Sequence, residues 1–159
     1  MRIVYATIVV LAGGAWLGAM LLTAASVSYF FMTDRELAVQ FGPRMFRVFE
    51  TFQGIVATLT LAAAILWRLS LCSTAKRWMT RLLIAAAVGA VFSTAVVTPR
   101  INHMWNTGQS RTPEFRKWHG VSQLVNLLQL LSLSVGLGFV PAGIIADARR
   151  GTSKATAAG

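Results

Sequence analysis

Four stretches of this chain carry no Asp, Glu, Lys or Arg: residues 3–33, 51–67, 82–99 and 118–146. A helix needs about 20 apolar residues (range about 17–25) to cross the hydrocarbon core of a bilayer. The first and last stretches exceed that length, and the two middle ones meet its lower edge. Inside the bilayer core no water can satisfy a backbone donor or acceptor, so a spanning segment must hydrogen-bond within itself, which selects helices. Only 13% of the residues are charged, against roughly 25% in a typical soluble domain. A water-soluble bundle of this length would need far more charge on its outer faces. The fold class that follows is all-α, an integral membrane four-helix bundle.

The expected helices cover about residues 3–32, 49–67, 81–98 and 118–146, forming one domain over 1–148 with a disordered basic tail at 149–159. The first apolar run could pass for a signal peptide, with Arg2 before it and Ala24, Ala25 and Ser26 near its end. It is about twice as long as a usual signal core, and a retained anchor is expected. Gly14 and Gly18 stand at GxxxG spacing, where small residues let a second helix approach closely; packing inside the bundle is the expected use. The loop 33–48 runs into "FGPRMFRVFE" (41–50), an amphipathic segment whose Phe41, Met45 and Phe49 would lie on the membrane interface, with Pro43 starting its helix. Pro99 is expected to end the third helix, which leaves His103 in a loop, and Pro141 to kink the far end of the fourth.

The formal charge of +10 does not imply nucleic acid, because the basic residues flank the spans and no basic helix or aromatic-interleaved patch is present. The expected partner is the bilayer itself, through anionic headgroups that attract each flanking Lys or Arg by about 1 kcal/mol, with a homo-oligomer or a membrane partner also open. The single cysteine, Cys72, rules out an internal disulfide. With four spans, eight Lys and Arg fall on the side of the termini and seven on the other. The expectation is a cell-membrane protein, in the inner membrane if bacterial, with both termini cytoplasmic.

The chemistry-bearing residues gather at one end. At 100° per residue, His119, Ser122, Asn126 and Gln129 fall within an arc of roughly 80°, a polar stripe on an otherwise apolar helix. The second helix repeats the spacing with Glu50, Gln53, Ala57 and Thr60. Both helices start from the same side, where Arg47, Arg100 and Arg116 also stand. Ionisable groups near hydrocarbon are costly and turn inward to pair, so Arg47, Glu50, Gln53, Arg100, Arg116, His119, Ser122 and Asn126 are the candidate lining of a polar pocket. The same set could equally be structural, since Ser, Asn and Gln often serve as interhelical glue. Imidazole changes charge near neutral pH, which makes His119 the candidate for a titrating partner of Glu50.

His103, Met104 and His119 are weak candidates for a soft or borderline metal, and no cofactor is expected. No nucleophile elbow, phosphate-binding loop, HExxH or paired catalytic carboxylates occur, so nothing in the chain points to an enzyme. The reading is a multi-pass membrane protein that binds or moves a small solute or ion. The alternatives are an oxidoreductase or oxygenase-like subunit holding a metal, haem or quinone, or a structural partner subunit of a membrane complex.

Four segments follow one another in the order "AGGAWLGAMLLTAASVSYFF", "RMFRVFETFQG", "VVTPRI" and "FRKWHGVSQLVNLL". In these the chain resembles the transmembrane-protein-205-like family over roughly residues 10–135. The most specific piece is carried by Phe115, Arg116, His119, Gly120, Ser122 and Asn126, supported by Thr98, Pro99 and Arg100. Where many members carry a proline before the phenylalanine near the end of the first helix, this chain has Ser28 and Tyr29 before Phe30. The resemblance implies a small four-helix membrane protein of unassigned activity. A vertebrate relative's association with platinum-drug resistance hints at transport or trafficking. "TPRINHMWN" also resembles, more faintly, a second class of four-helix proteins related to anthrone oxygenases.

Overall fold

A computed structural model describes residues 2–33 and 35–156. Six α-helices follow in order: α1 (Arg2–Thr33), α2 (Arg35–Ser70), α3 (Thr74–Phe92), α4 (Thr98–Asn106), α5 (Pro113–Gly138) and α6 (Val140–Thr156), with a π-helical turn at Ser93–Val97 joining α3 to α4. They make four passes long and apolar enough to cross a membrane: Arg2–Phe30, Arg44–Ser70, Thr74–Asn106 and Pro113–Arg149. α1 packs chiefly on α2 and α3 on α5, and contacts of α2 with α3 and of α1 with α5 close the ring. The result is an antiparallel four-helix bundle, an integral membrane fold.

Side-chain spacing decides what faces inward. On α1 the buried positions are Ala6, Val9, Gly13, Trp16 and Met20, alternating in steps of three and four. They meet Val56, Ala57, Ala63, Ala64 and Trp67 of α2, Met79, Leu83, Ala86 and Ala90 of α3, and Leu133 of α5 in one core. The outer faces carry exposed Ile3, Leu11, Leu22, Leu59, Leu66, Val88, Val91, Leu124 and Leu131. An apolar exterior of that extent belongs in lipid. Threonine hydroxyls within the spans are satisfied locally: Thr58 donates to the Gly54 carbonyl, Thr60 to Val56 and Thr80 to Lys76. That is what a solvent without hydrogen-bonding capacity demands.

Several boundaries differ from the sequence expectation: the third helix starts at Thr74 rather than about 81 and the fourth at Pro113 rather than about 118, each led by its cap residue, and three further differences follow. The third pass does not end at Pro99 but continues to Asn106. Proline removes one ladder hydrogen bond and its ring crowds the preceding turn. The π turn absorbs this: the Thr98 N–H donates to the Ser93 carbonyl five residues back, which loosens the helix just before the ring. His103 therefore sits in a helix rather than a loop. Helix α2 begins at Arg35 and runs through Pro43, ahead of the second pass at Arg44, because the amphipathic pattern of 41–50 continues in phase into the apolar run. The fourth pass breaks at Phe139, between Gly138 and Pro141, and α6 carries helix to Thr156 through a segment expected to be disordered. Alanine, arginine and lysine there are good helix formers; residues 157–159 lie outside the described ones. The caps are those the sequence supplies: the Ser73 hydroxyl accepts from the Lys76 N–H at 3.3 Å, and that of Thr112, just before Pro113, from the Phe115 N–H at 3.2 Å.

Gly14 and Gly18 do not pack within the bundle. A Cβ added at either would meet nothing within 4 Å. Both lie exposed on the outward face of α1. The close approaches are made by Gly13 to Leu137 and Thr60, Gly89 to Gln129, Gly136 to Leu82 and Leu83, and Gly143 to Trp67 and Lys76.

Candidate functional site

Two polar centres lie in the bundle, one in its interior between the middle of the spans and the Glu50 end, the other at the end that bears the termini. The first is an amide pair. Gln53 on α2 and Gln129 on α5 are both buried, and Gln53 Nε2 donates to Gln129 Oε1 at 2.7 Å. Each is brought inward by its helix phase: Gln53 precedes Val56, Ala57 and Thr60, and Gln129 precedes Leu133 and Gly136. Gly89 of α3 makes room, since a Cβ there would come within 2.7 Å of Gln129 Cγ. The pair leaves Gln129 Nε2 buried without an acceptor. Trp16 Nε1 is in the same state. Gly13 opposes Thr60, so the antiparallel helices place the α-carbon of Trp16 about 6 Å along the bundle axis from that of Gln53. A buried donor without an acceptor costs about 1–3 kcal/mol.

Gln53 also forms part of the wall of a groove of about 410 Å³ between α2 and α3, with Glu50, Ala57, Thr58, Thr94 and Ala95. Glu50, half-buried at its mouth, accepts a 2.6 Å hydrogen bond from Thr98 Oγ1. Thr98 belongs to the helical turn that the π segment and Pro99 reposition, so the proline-linked distortion supplies the carboxylate with its donor.

The remaining candidates divide. His119 does not pair with Glu50; it is exposed on α5, stacks on Phe115 at 6.0 Å and 7° between ring planes, and stands 3.3 Å from Gln123 Nε2. Arg47 and Arg116 are exposed. Arg100 lays its guanidinium over the Trp118 ring, 4.4 Å from the centroid. Ser122 and Asn126 are half-buried on α5. Met104 is buried while His103 is exposed, and among the described residues no three of His, Cys, Asp and Glu converge as metal ligands would.

The second centre was not foreseen. At the end of the bundle that bears the termini, Lys76 of α3 is fully buried and its ammonium lies 2.7 and 2.8 Å from the Asp147 carboxylate oxygens of α6. Trp67 Nε1 donates to Asp147 Oδ2 at 2.8 Å, and the Lys76 ammonium sits 4.8 Å from the centre of the Trp67 ring. Gly143 lets the helices close, its missing Cβ position lying 3.1 Å from the indole. The available signal was Asp147 itself, the one acid among eight basic residues on its side and so the one that must neutralise a cation.

A family model described as "Domain of unknown function (DUF4149)" matches residues 11–110. The match takes in the first pass from residue 11 on, the second and third passes, the groove and Thr98, and stops short of the Phe115–Asn126 run and of Gln129. None of the curated proteins searched matches the chain, nor does any of the solved structures.

Proposed function

The chain belongs to the DUF4149 family, a domain family of unknown function, and we propose that it is a non-enzymatic membrane protein that binds or moves a small anionic solute. The site is the groove between α2 and α3 and the amide pair behind it. One observation carries this: Gln129 Nε2 is buried without an acceptor directly behind Gln53, whose side chain reaches the groove wall. A carboxylate, phosphate or similar acceptor entering beside Gln53 would supply the acceptor that the buried Gln129 amide lacks. Arg47, Arg100 and Arg116 stand at that end and raise the local concentration of an anion. Glu50, held by Thr98, is the one carboxylate on the groove wall and takes the role of proton carrier without His119. We further propose that the chain is one of the transmembrane-protein-205-like proteins, a reading supported by the Phe115–Asn126 run, which lies outside the matched residues.

The test is proton movement in proteoliposomes containing a pH-sensitive dye, given inward gradients of phosphate, sulfate or succinate in turn. Wild type should acidify or alkalinise the lumen with at least one of them, and Glu50→Gln should reduce that signal by tenfold or more while the protein remains folded. Absence of a signal with all three anions, or a full signal in Glu50→Gln, would overturn the reading. A second reading, a partner subunit of a membrane complex, is favoured by the open Gly14–Gly18 face. It predicts that Gly18→Leu breaks a complex and Glu50→Gln does not.

A further inference from the structure

We infer that the outer groove between α1 and α6, on the side of the termini, is a binding site for one anionic phospholipid. A groove of about 930 Å³ has Arg2, Ser70 and Asp147 at its outer end and Ala6, Val10 and Ile144 along its length. A second hollow of about 530 Å³, lined by Gly14, Leu137 and Pro141, shares Val10 and Ile144 with it and extends it. From Arg2 to Gly14 the α1 rise is about 18 Å, close to the thickness of one leaflet, about half of a 30 Å hydrocarbon core. The groove therefore runs from headgroup depth to the bilayer midplane.

Its origin is visible in the chain. The helix breaks at Phe139, between Gly138 and Pro141, where α5 gives way to α6. Ala6, Thr7 and Gly14 keep the α1 wall of the groove thin, and a Cβ at Gly14 would meet nothing within 4 Å. The walls are apolar over their inner length, which suits an acyl chain.

Charge selects the headgroup. Asp147 has both carboxylate oxygens engaged by Lys76 and the Trp67 N–H, so its charge is compensated from within the bundle. Arg2 has no acidic partner among the described residues and lines the same mouth. The whole face carries eight basic residues against Asp147 alone, a formal +7, whereas the opposite face has seven against four, +3. A second copy packed in parallel would bring two such faces together, at a repulsive cost; a phospholipid phosphate compensates them.

The full chain in mild detergent is titrated with dioleoylphosphatidylglycerol or with dioleoylphosphatidylcholine, and retained lipid is counted by native mass spectrometry. Wild type should hold one phosphatidylglycerol about fivefold more tightly than phosphatidylcholine, the factor expected for one surface Arg. Arg2→Gln should erase that preference while still retaining lipid. Val10→Trp, at a half-exposed position on the wall, should lose both lipids, and Ile144→Trp on the opposite wall should do the same should Val10→Trp fail to fold. Equal retention of the two lipids by wild type would overturn the proposal, as would undiminished phosphatidylglycerol on either tryptophan variant. Displacement of the lipid by millimolar inorganic phosphate would point to a free-anion site instead, and conversion of a dimer to a monomer by Val10→Trp would show that a second copy fills the groove.

Discussion

An ammonium group removed from water costs several kcal/mol unless its partners are close and complete, and Lys76 meets that condition with Asp147 at 2.7 Å. Asp147→Asn leaves the cation buried and uncompensated, so it should destabilise the fold by about 3–5 kcal/mol, measured as reversible unfolding in mixed micelles. The double change Lys76→Met with Asp147→Leu should cost far less than the two single changes added, because it removes both charges together. At the amide pair, Gly89→Ala forces Gln129 Cγ to move from 2.7 Å. It should cost about 1–3 kcal/mol and disrupt the Gln53 hydrogen bond, which a mutant cycle with Gln53→Leu would register as coupling. Lys76 was not legible in the sequence, because a buried lysine and a loop lysine at a span boundary look alike there. Gln129 was legible through the stripe that contains it. His119 misled: the buried positions Gln129, Leu133 and Gly136 centre roughly 70° around the helix from it, so it lies at the margin of the stripe and faces outward.

At the scale of elements, phase and punctuation do different work. Apolar phase places the buried faces of α1 and α5 and is readable from spacing alone, whereas Pro99 and Pro141 look alike in sequence and act differently. Pro141 follows Gly138 and a break results; Pro99 follows a run of Ala and Val that accommodates a π turn, and the helix continues. Pro99→Ala should let that turn return to α-helix, shifting Thr98 by about 100° around the axis and away from Glu50. In a Cys72→Ser background with Glu50→Cys and Thr98→Cys, a short thiol cross-linker should join the two positions, and adding Pro99→Ala should reduce the yield several-fold. Gly14→Leu and Gly18→Leu face open space, and each should change the stability of the isolated chain by no more than about 0.5 kcal/mol.

At the scale of the whole molecule, four spans and an all-α bundle follow from the uncharged stretches. Hydrophobic length is a strong constraint once water is absent. Orientation does not follow with the same force, because Lys and Arg divide eight to seven, and the charge asymmetry emerges only when the acids are placed. The bundle carries two polar centres that lie toward opposite membrane faces: Glu50 with the Gln53–Gln129 pair toward one, and Lys76–Asp147 toward the other. Cys72 lies exposed in the connection beside Lys76, and Gln109 lies exposed in the connection beyond α4, on the side of Glu50. Labelling with a membrane-impermeant maleimide in intact cells compares native Cys72 with Gln109→Cys in a Cys72→Ser background. A chain with cytoplasmic termini should react at Gln109→Cys in intact cells and at Cys72 only after permeabilisation, and the opposite orientation should reverse the two. Reaction of both positions from the same side of the membrane would contradict the account.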